Sequence, residues 1–155
     1  MSRVLAIDPG NVESGYALID ADTRAPIKVD KVHNRDLLEM LEDNEFELSL
    51  IYDRGAIEMI ASYGMAVGKE VFETCVWIGR FQQAAEIGMR LVYRCDVKLH
   101  HCHSAKAKDA NIAQALIDRF ASGEPNRGKG TKAAPGFFYG FRADIWQAYA
   151  LAVLV

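Results

Sequence analysis

The stretch from Arg3 to Asp8, RVLAID, restricts the fold more than any other segment of the chain. It is apolar from Val4 to Ile7, closes on a carboxylate and is cut at once by Pro9-Gly10. Such a run reads as a buried strand stopped by a turn. Gly15 to Asp20 (GYALID) follows after a short connection, so a second strand is expected to hairpin onto the first. Pro26 to Val32 alternates apolar and polar residues, as an edge strand does. Asn34 is placed to cap a helix carrying Leu37, Leu38, Met40 and Leu41. Polarity rises at Asp43-Asn44-Glu45, which predicts that this helix stops before the stretch Phe46 to Tyr52.

Further on, Gly55 to Ile60 (GAIEMI) is a short apolar strand interrupted by Glu58. After a loop at Ser62-Tyr63-Gly64, helical periodicity runs from Lys69 to Met89 through Val71, Phe72, Cys75, Ile78 and Phe81. Arg90 to Cys95 alternates and predicts a strand. Ser104 is expected to cap a helix from Ala105 to Phe120, with Ile112, Ala115, Leu116 and Phe120 as its apolar stripe. Ala121 to Phe141 holds five glycines and two prolines, hence a loop, and loops of that length tend to be functional or mobile. Asp144 then opens a final helix, apolar at Ile145, Ala148, Tyr149, Leu151 and Ala152. No repeat or linker divides the chain, so the order predicts one α/β domain over residues 1–155.

Composition sets limits on function. Half of the 155 residues are apolar and a quarter charged, as in ordinary globular proteins. No apolar run approaches the ~18 residues a membrane span needs, and the start lacks a signal peptide's apolar core. Three cysteines at unrelated spacings do not make a disulfide framework. A reducing, cytoplasmic home is expected, with no membrane. The net charge of −3 is unevenly spread: Arg90 to Arg142 contains ten Lys or Arg against four acids, +6, which leaves −9 for the remainder. One face meeting phosphates and another carrying clustered carboxylates would produce that asymmetry. A solvated surface with chance clustering would too.

Three acids stand where acids are structurally unwelcome. Asp8 closes a buried strand, Glu58 interrupts another and Asp144 opens a helix packed on the sheet. Burying a lone carboxylate costs several kcal/mol, about 3 or more, so such groups pair, cap or bind a cation. Hard divalent cations want oxygen ligands of this kind, and a pair of Mg²⁺ ions about 4 Å apart could activate water against a phosphodiester. Plainer roles stay open: Asp144 as a helix cap and Asp8 as a turn residue. Glu58 has no such local role.

The stretch AIDPGNVESGYALID, from Ala6, resembles the first hairpin of RuvC-type Holliday-junction resolvases of the RNase H-like superfamily. IEMIASYGM, from Ile57, is similar to that family's second motif. Val97-Lys98 and Lys108 match the spacing of the third, and DIWQAYALAV resembles the C-terminal helix. The later motifs look like those of a phage or poxvirus-like branch. The resemblance implies an RNase H-like α/β fold with a mixed five-stranded sheet flanked by helices. It also implies a homodimer acting on branched DNA with Mg²⁺ or Mn²⁺. By position, Asp8, Glu58 and Asp144 would be catalytic metal ligands, Gln147 would stand where a second helix acid is usual, and Lys108 would assist at the phosphate. Two departures accompany it. Gln147 brings no negative charge, unless Asp144 itself takes the second position, leaving Phe141 at the first. Ala61 stands where an aromatic usually follows the second-motif acid, with Tyr63 nearby as a substitute.

Lys98, Lys106, Lys108, Lys129, Lys132 and Arg142 are the expected DNA contacts, exposed lysines without partners being the plain alternative. Phe137, Phe138, Tyr139 and Phe141 suit stacking on unpaired bases, or pin the loop to the core. His100-His101-Cys102-His103 lacks a second ligand pair, and a zinc site is not expected. Met65, Phe72, Trp77 and Phe81 read as core or dimer interface. The leading expectation is a metal-dependent endonuclease on Holliday junctions. An RNA–DNA hybrid nuclease and a catalytically weak branched-DNA-binding protein are the alternatives. A two-lobed nucleotide-binding fold of the actin type needs a longer chain.

Overall fold

The computed structural model describes residues 2–42 and 50–155. Five strands, β1 (Arg3–Asp8), β2 (Glu13–Asp20), β3 (Pro26–His33), β4 (Arg54–Met59) and β5 (Met89–Tyr93), form one sheet in the order β3-β2-β1-β4-β5. β1 to β3 are antiparallel neighbours, whereas β4 runs parallel to β1 and β5 parallel to β4. The helices are α1 (Asn34–Glu42), α2 (Lys69–Ala84), α3 (Arg94–Cys102), α4 (Asp109–Phe120) and α5 (Ile145–Leu154).

β1 is apolar on both sides because it lies in the middle of a sheet covered on both faces. Val4 and Ala6 join one buried cluster, with Ala17, Ala56, Ile112, Leu116, Tyr149 and Leu151. Leu5 and Ile7 join the other, with Tyr16, Leu37, Ile57, Ile78 and Phe81. Three alanines, Ala6, Ala17 and Ala56, sit side by side in register across β2, β1 and β4. They leave room for α5, which is buried at Ile145 and from Gln147 to Val153. That helix is apolar all round because it is enclosed by the sheet, α3 and α4.

Several boundaries differ from the sequence-based expectation. β2 begins two residues early, at Glu13. α2 ends at Ala84 rather than Met89, since Ala85 turns to extended backbone (φ −65°, ψ 121°). The expected strand through Cys95 stops at Tyr93, and Arg94–Cys102 is helical, ending where His103 takes a left-handed φ of 57°. The four residues His100 to His103 are therefore not on a strand. Ser104 caps no helix: its Oγ accepts from the Lys106 N–H (3.2 Å), and α4 starts at Asp109. Asn34 spends its side chain on the first turn instead of on α1. The expected helix stop at Asp43-Asn44-Glu45 and most of Phe46 to Tyr52 lie outside the described residues.

The loop after α4 is ordered by a short 3₁₀ turn (Pro125–Gly128) and a bridge between Gly130 and Pro135. Phe138 and Phe141 are fully buried, and Phe137 stacks on Phe120 (5.4 Å). Each buried ring contributes about 2–3 kcal/mol. The aromatics thus pin the loop; Tyr139 alone of the four is largely exposed. Among the described residues no helix is long and apolar enough to cross a membrane.

Candidate functional site

The site grows from the hairpin. Gly10 has no space for a Cβ, which would meet the Glu13 carbonyl oxygen. The turn is tied by side chains: Ser14 Oγ accepts from the Gly10 N–H (3.1 Å) and donates to Asn34 Oδ1 (2.5 Å), and Asn34 Nδ2 donates to the Gly10 carbonyl (2.8 Å). Ser14 and Asn34 are fully buried. Asp8 is therefore held at the end of β1 without serving the turn.

Strand register then gathers the acids. Ile7 pairs with Ile57, so Asp8 and Glu58 are the next residues on parallel neighbouring strands. Both follow an alanine of the α5-side cluster with one residue between, and so emerge on the face that α5 covers. Asp8 pairs with Gly15 on its other side. A Cβ on Gly15 would lie 2.9 Å from the carbonyl carbon and oxygen of Asp144, so the missing side chain is what lets Asp144 reach the sheet. Asp144 stands at the N-cap of α5 but makes no capping bond; its Oδ2 pairs with Lys31 Nζ of β3 at 2.9 Å.

The electrostatics record the crowding. Burial, followed by the adjacent Glu58 with which it shares a hydrogen bond and by Asp144, pushes the Asp8 carboxyl well above the usual carboxylate range. A hydrogen bond to Asp144 holds the Lys31 ammonium above its ordinary value. Arg94, at the start of α3, spans two acids: its Nη1 lies 3.1 Å from Glu58 Oε1, and its Nη2 donates to Asp109 Oδ1. Glu58 is only 12% exposed.

Beside Asp144 lies a cavity of about 420 Å³, lined by Asp109, Asn126, Arg127, Lys129, Asp144 and Gln147 among others. Gln147 is buried one turn along α5 from Asp144. Of the expected DNA contacts, Lys129 lines this cavity. Lys106 and Lys108 are exposed just before α4, whose first residue Asp109 lines it too. Lys98 is partly buried on α3, Lys132 is exposed in the long loop, and Arg142 lies 3.5 Å from Asp30.

Among the described residues no three His, Cys, Asp or Glu side chains stand together at metal-ligand spacing. Glu58 is drawn to Arg94 and Asp144 to Lys31 instead. The donor set still fits a hard cation. Asp8, Glu58 and Asp144 offer the carboxylate oxygens that a hard divalent cation takes, with Arg94 and Lys31 paired to Glu58 and Asp144 as the counter-cations. His101 Nε2, by contrast, is engaged with the Ala150 carbonyl (2.7 Å).

No protein-family model matches the sequence, and no curated protein of similar sequence was found. Solved structures do match in three dimensions. A Thermus thermophilus RuvC structure is 15% identical, with a TM-score of 0.66 over 97% of this chain and 91% of that one. T. thermophilus RuvC in complex with a Holliday junction substrate is 14% identical, with a TM-score of 0.61 over 99% of this chain and 91% of that one. The chain has a RuvC-like, RNase H-like fold. Within this fold, sequence reasoning missed Lys31, Arg94 and Arg127 as neighbours of the acids, and Gly15 as the seat of Asp144. Only Gly15 carried a signal, a glycine inside a strand marking a close approach of backbone.

Proposed function

We propose that residues 1–155 form a single nuclease domain that cuts branched DNA, Holliday junctions in particular, in a divalent-metal-dependent reaction. The reading is supported by the RuvC-like fold, by Asp8 and Glu58 side by side on neighbouring strands with Asp144 packed against Gly15 of the next, and by the adjacent cavity lined by Arg127 and Lys129. Asp8, Glu58 and Asp144, with the amide oxygen of Gln147, would hold Mg²⁺ or Mn²⁺. When bound, the ion supplies an activated water and charge stabilisation at the phosphodiester. Lys108 stands at the opening of α4 to neutralise charge developing on the phosphate, and Lys98, Lys106, Lys129, Lys132 and Arg142 serve the DNA backbone. Exposed Tyr63, Met65, Phe72 and Val76 provide an apolar surface along and before α2 for a homodimer, in which paired sites cut two strands. The wording of the later motifs is the ground for a phage or poxvirus-like branch, and the three cysteines at unrelated spacings are the ground for an intracellular, reducing setting.

The test is cleavage of a synthetic four-way junction beside a linear duplex and an RNA–DNA hybrid, with Mg²⁺, by wild type and Asp8→Asn. Junction-selective cutting abolished by Asp8→Asn is expected. Preference for the hybrid would transfer the site to another RNase H-like activity, since fold alone does not fix substrate. Tight junction binding without cutting would identify a branched-DNA-binding protein, a reading favoured by the neutral Gln147 and by the pairing of Glu58 with Arg94.

A further inference from the structure

The end of the sheet away from Asp8 carries a second concentration of charge, and its sign is positive. The turn after β2 lies beside the start of β1, because Arg3 pairs with Asp20 while Asp8 pairs with Gly15. Arg24 in that turn adopts a left-handed φ of 65°, and its carbonyl accepts from the Tyr149 hydroxyl (2.8 Å). Its guanidinium Nη1 is buried and has no hydrogen-bond partner among the described residues. A buried, unmatched donor on a charged group costs more stability than an ordinary hydrogen bond contributes, so such a group calls for something that answers it.

Other elements bring further basic groups to the same place. Tyr149 is fully buried; Phe120 of α4 lies edge-on to it (6.0 Å), and the Arg119 guanidinium lies over Phe120 (4.8 Å). Next along α5, the Ala150 carbonyl engages His101 Nε2 (2.7 Å), and the His101 ring meets His100 edge to face at 4.7 Å. Partial burial, followed by the neighbouring Arg119, His103 and Arg24, pushes the His100 imidazole below its ordinary value. The nearby acids are engaged elsewhere. Asp20 Oδ1 accepts from the N–H groups of Asp22 and Thr23, and Asp118 accepts from Gln114. None of the ion pairs among the described residues includes Arg24, Arg119 or a histidine.

We propose that Arg24, Arg119 and His100 form a binding site for a phosphate group at the end of the sheet opposite the carboxylates. A planar carboxylate is satisfied by one arginine fork. Donors converging from the β2–β3 turn, α3 and α4 suit a tetrahedral anion with more oxygens. Arg24 is half-buried, and Arg119 and His103 are exposed, so the cluster is open to a ligand. The guanidinium charge is delocalised, so an anion bound beside Arg24 compensates the whole group, Nη1 included. A backbone phosphate of DNA and a small phosphate compound share this chemistry.

Inorganic phosphate is the first probe, titrated into the full chain against chloride at constant ionic strength while histidine ring signals are followed by NMR. His100 is identified by its loss in His100→Gln. Wild type should give a saturable response in which the His100 pKa moves up, because the anion stabilises its imidazolium. Its Tm should rise by about 3–6 °C at roughly ten times the Kd. Arg24→Met keeps a buried apolar stem without the charge and should show neither effect. Arg119→Gln, at an exposed position, should bind about tenfold more weakly, and it decides the matter if Arg24→Met does not fold. A four-way junction added in EDTA distinguishes the sources. If it shifts His100 or displaces phosphate in wild type but not in Arg24→Met, the group is a DNA backbone phosphate; if phosphate binds unaltered beside the junction, it is a small phosphate compound. No saturable response to either ligand, a response that chloride reproduces, or both variants titrating as wild type would overturn the site.

Discussion

Gly15→Ala is the smallest change that should separate Asp144 from the other acids. The added methyl would start 2.9 Å from the carbonyl carbon and oxygen of Asp144 and 3.0 Å from its Cβ. Ordinary contact begins at 3.4 Å, so the backbone at Asp144 must retreat by about half an ångström, or β2 must bend away from β1. Neither movement is easy, because α5 is enclosed and β2 is held between two strands. Overpacking of this kind costs about 1–3 kcal/mol. In a chain of this size that lowers Tm by about 3–10 °C. Misplacement by about 1 Å can cost 10²-fold in rate, so half of that should cost roughly tenfold in junction cleavage.

Thermal melting in EDTA, Mn²⁺ titration and single-turnover cleavage would be measured on the same preparation. Gly79→Ala is the matched control: it lies in α2, where an added Cβ meets nothing within 4 Å, and should stabilise by up to about 1 kcal/mol. A Gly15→Ala protein with unchanged Tm, Mn²⁺ affinity and cleavage would refute the idea that the bare backbone of Gly15 seats Asp144.

Three further outcomes are expected. The Asp8 carboxyl is held above its unfolded value, so the folded protein binds more protons than the unfolded one between the two, and stability of the metal-free protein falls as pH rises through that window. Asp8→Asn should flatten this fall and raise Tm at neutral pH in EDTA while abolishing cleavage; a variant that cuts normally would remove Asp8 from the site. Reversing Lys98 and Lys108 to Glu should weaken junction binding and reduce the salt slope of log K, by roughly 0.9 for each duplex phosphate no longer neutralised, and an unchanged affinity would place the DNA on another face. Gln147→Asp should tighten metal binding, because it adds a charge one helical turn from Asp144; equal affinity in wild type, Gln147→Asp and Gln147→Ala would exclude this position from the site.

What could be read from the sequence follows from how far each signal reaches along the chain. Asp8 and Glu58 were visible because each breaks an apolar strand, a contradiction contained within six residues. The sheet was likewise legible, since every strand carried its own pattern. α3 was not: Arg94 to Cys102 buries only Val97 well, so no apolar stripe marked it, and the alternation of β5 runs on into Arg94 and Cys95. The counter-cations were harder still. Arg94 meets an acid 36 positions away and Lys31 meets Asp144 from the far edge strand, contacts that exist only once the strand order is set. An exposed arginine and an arginine spanning two carboxylates have the same local sequence. Carboxylates out of place can therefore be singled out from the sequence, but the cations paired with them are brought there only by the folded sheet.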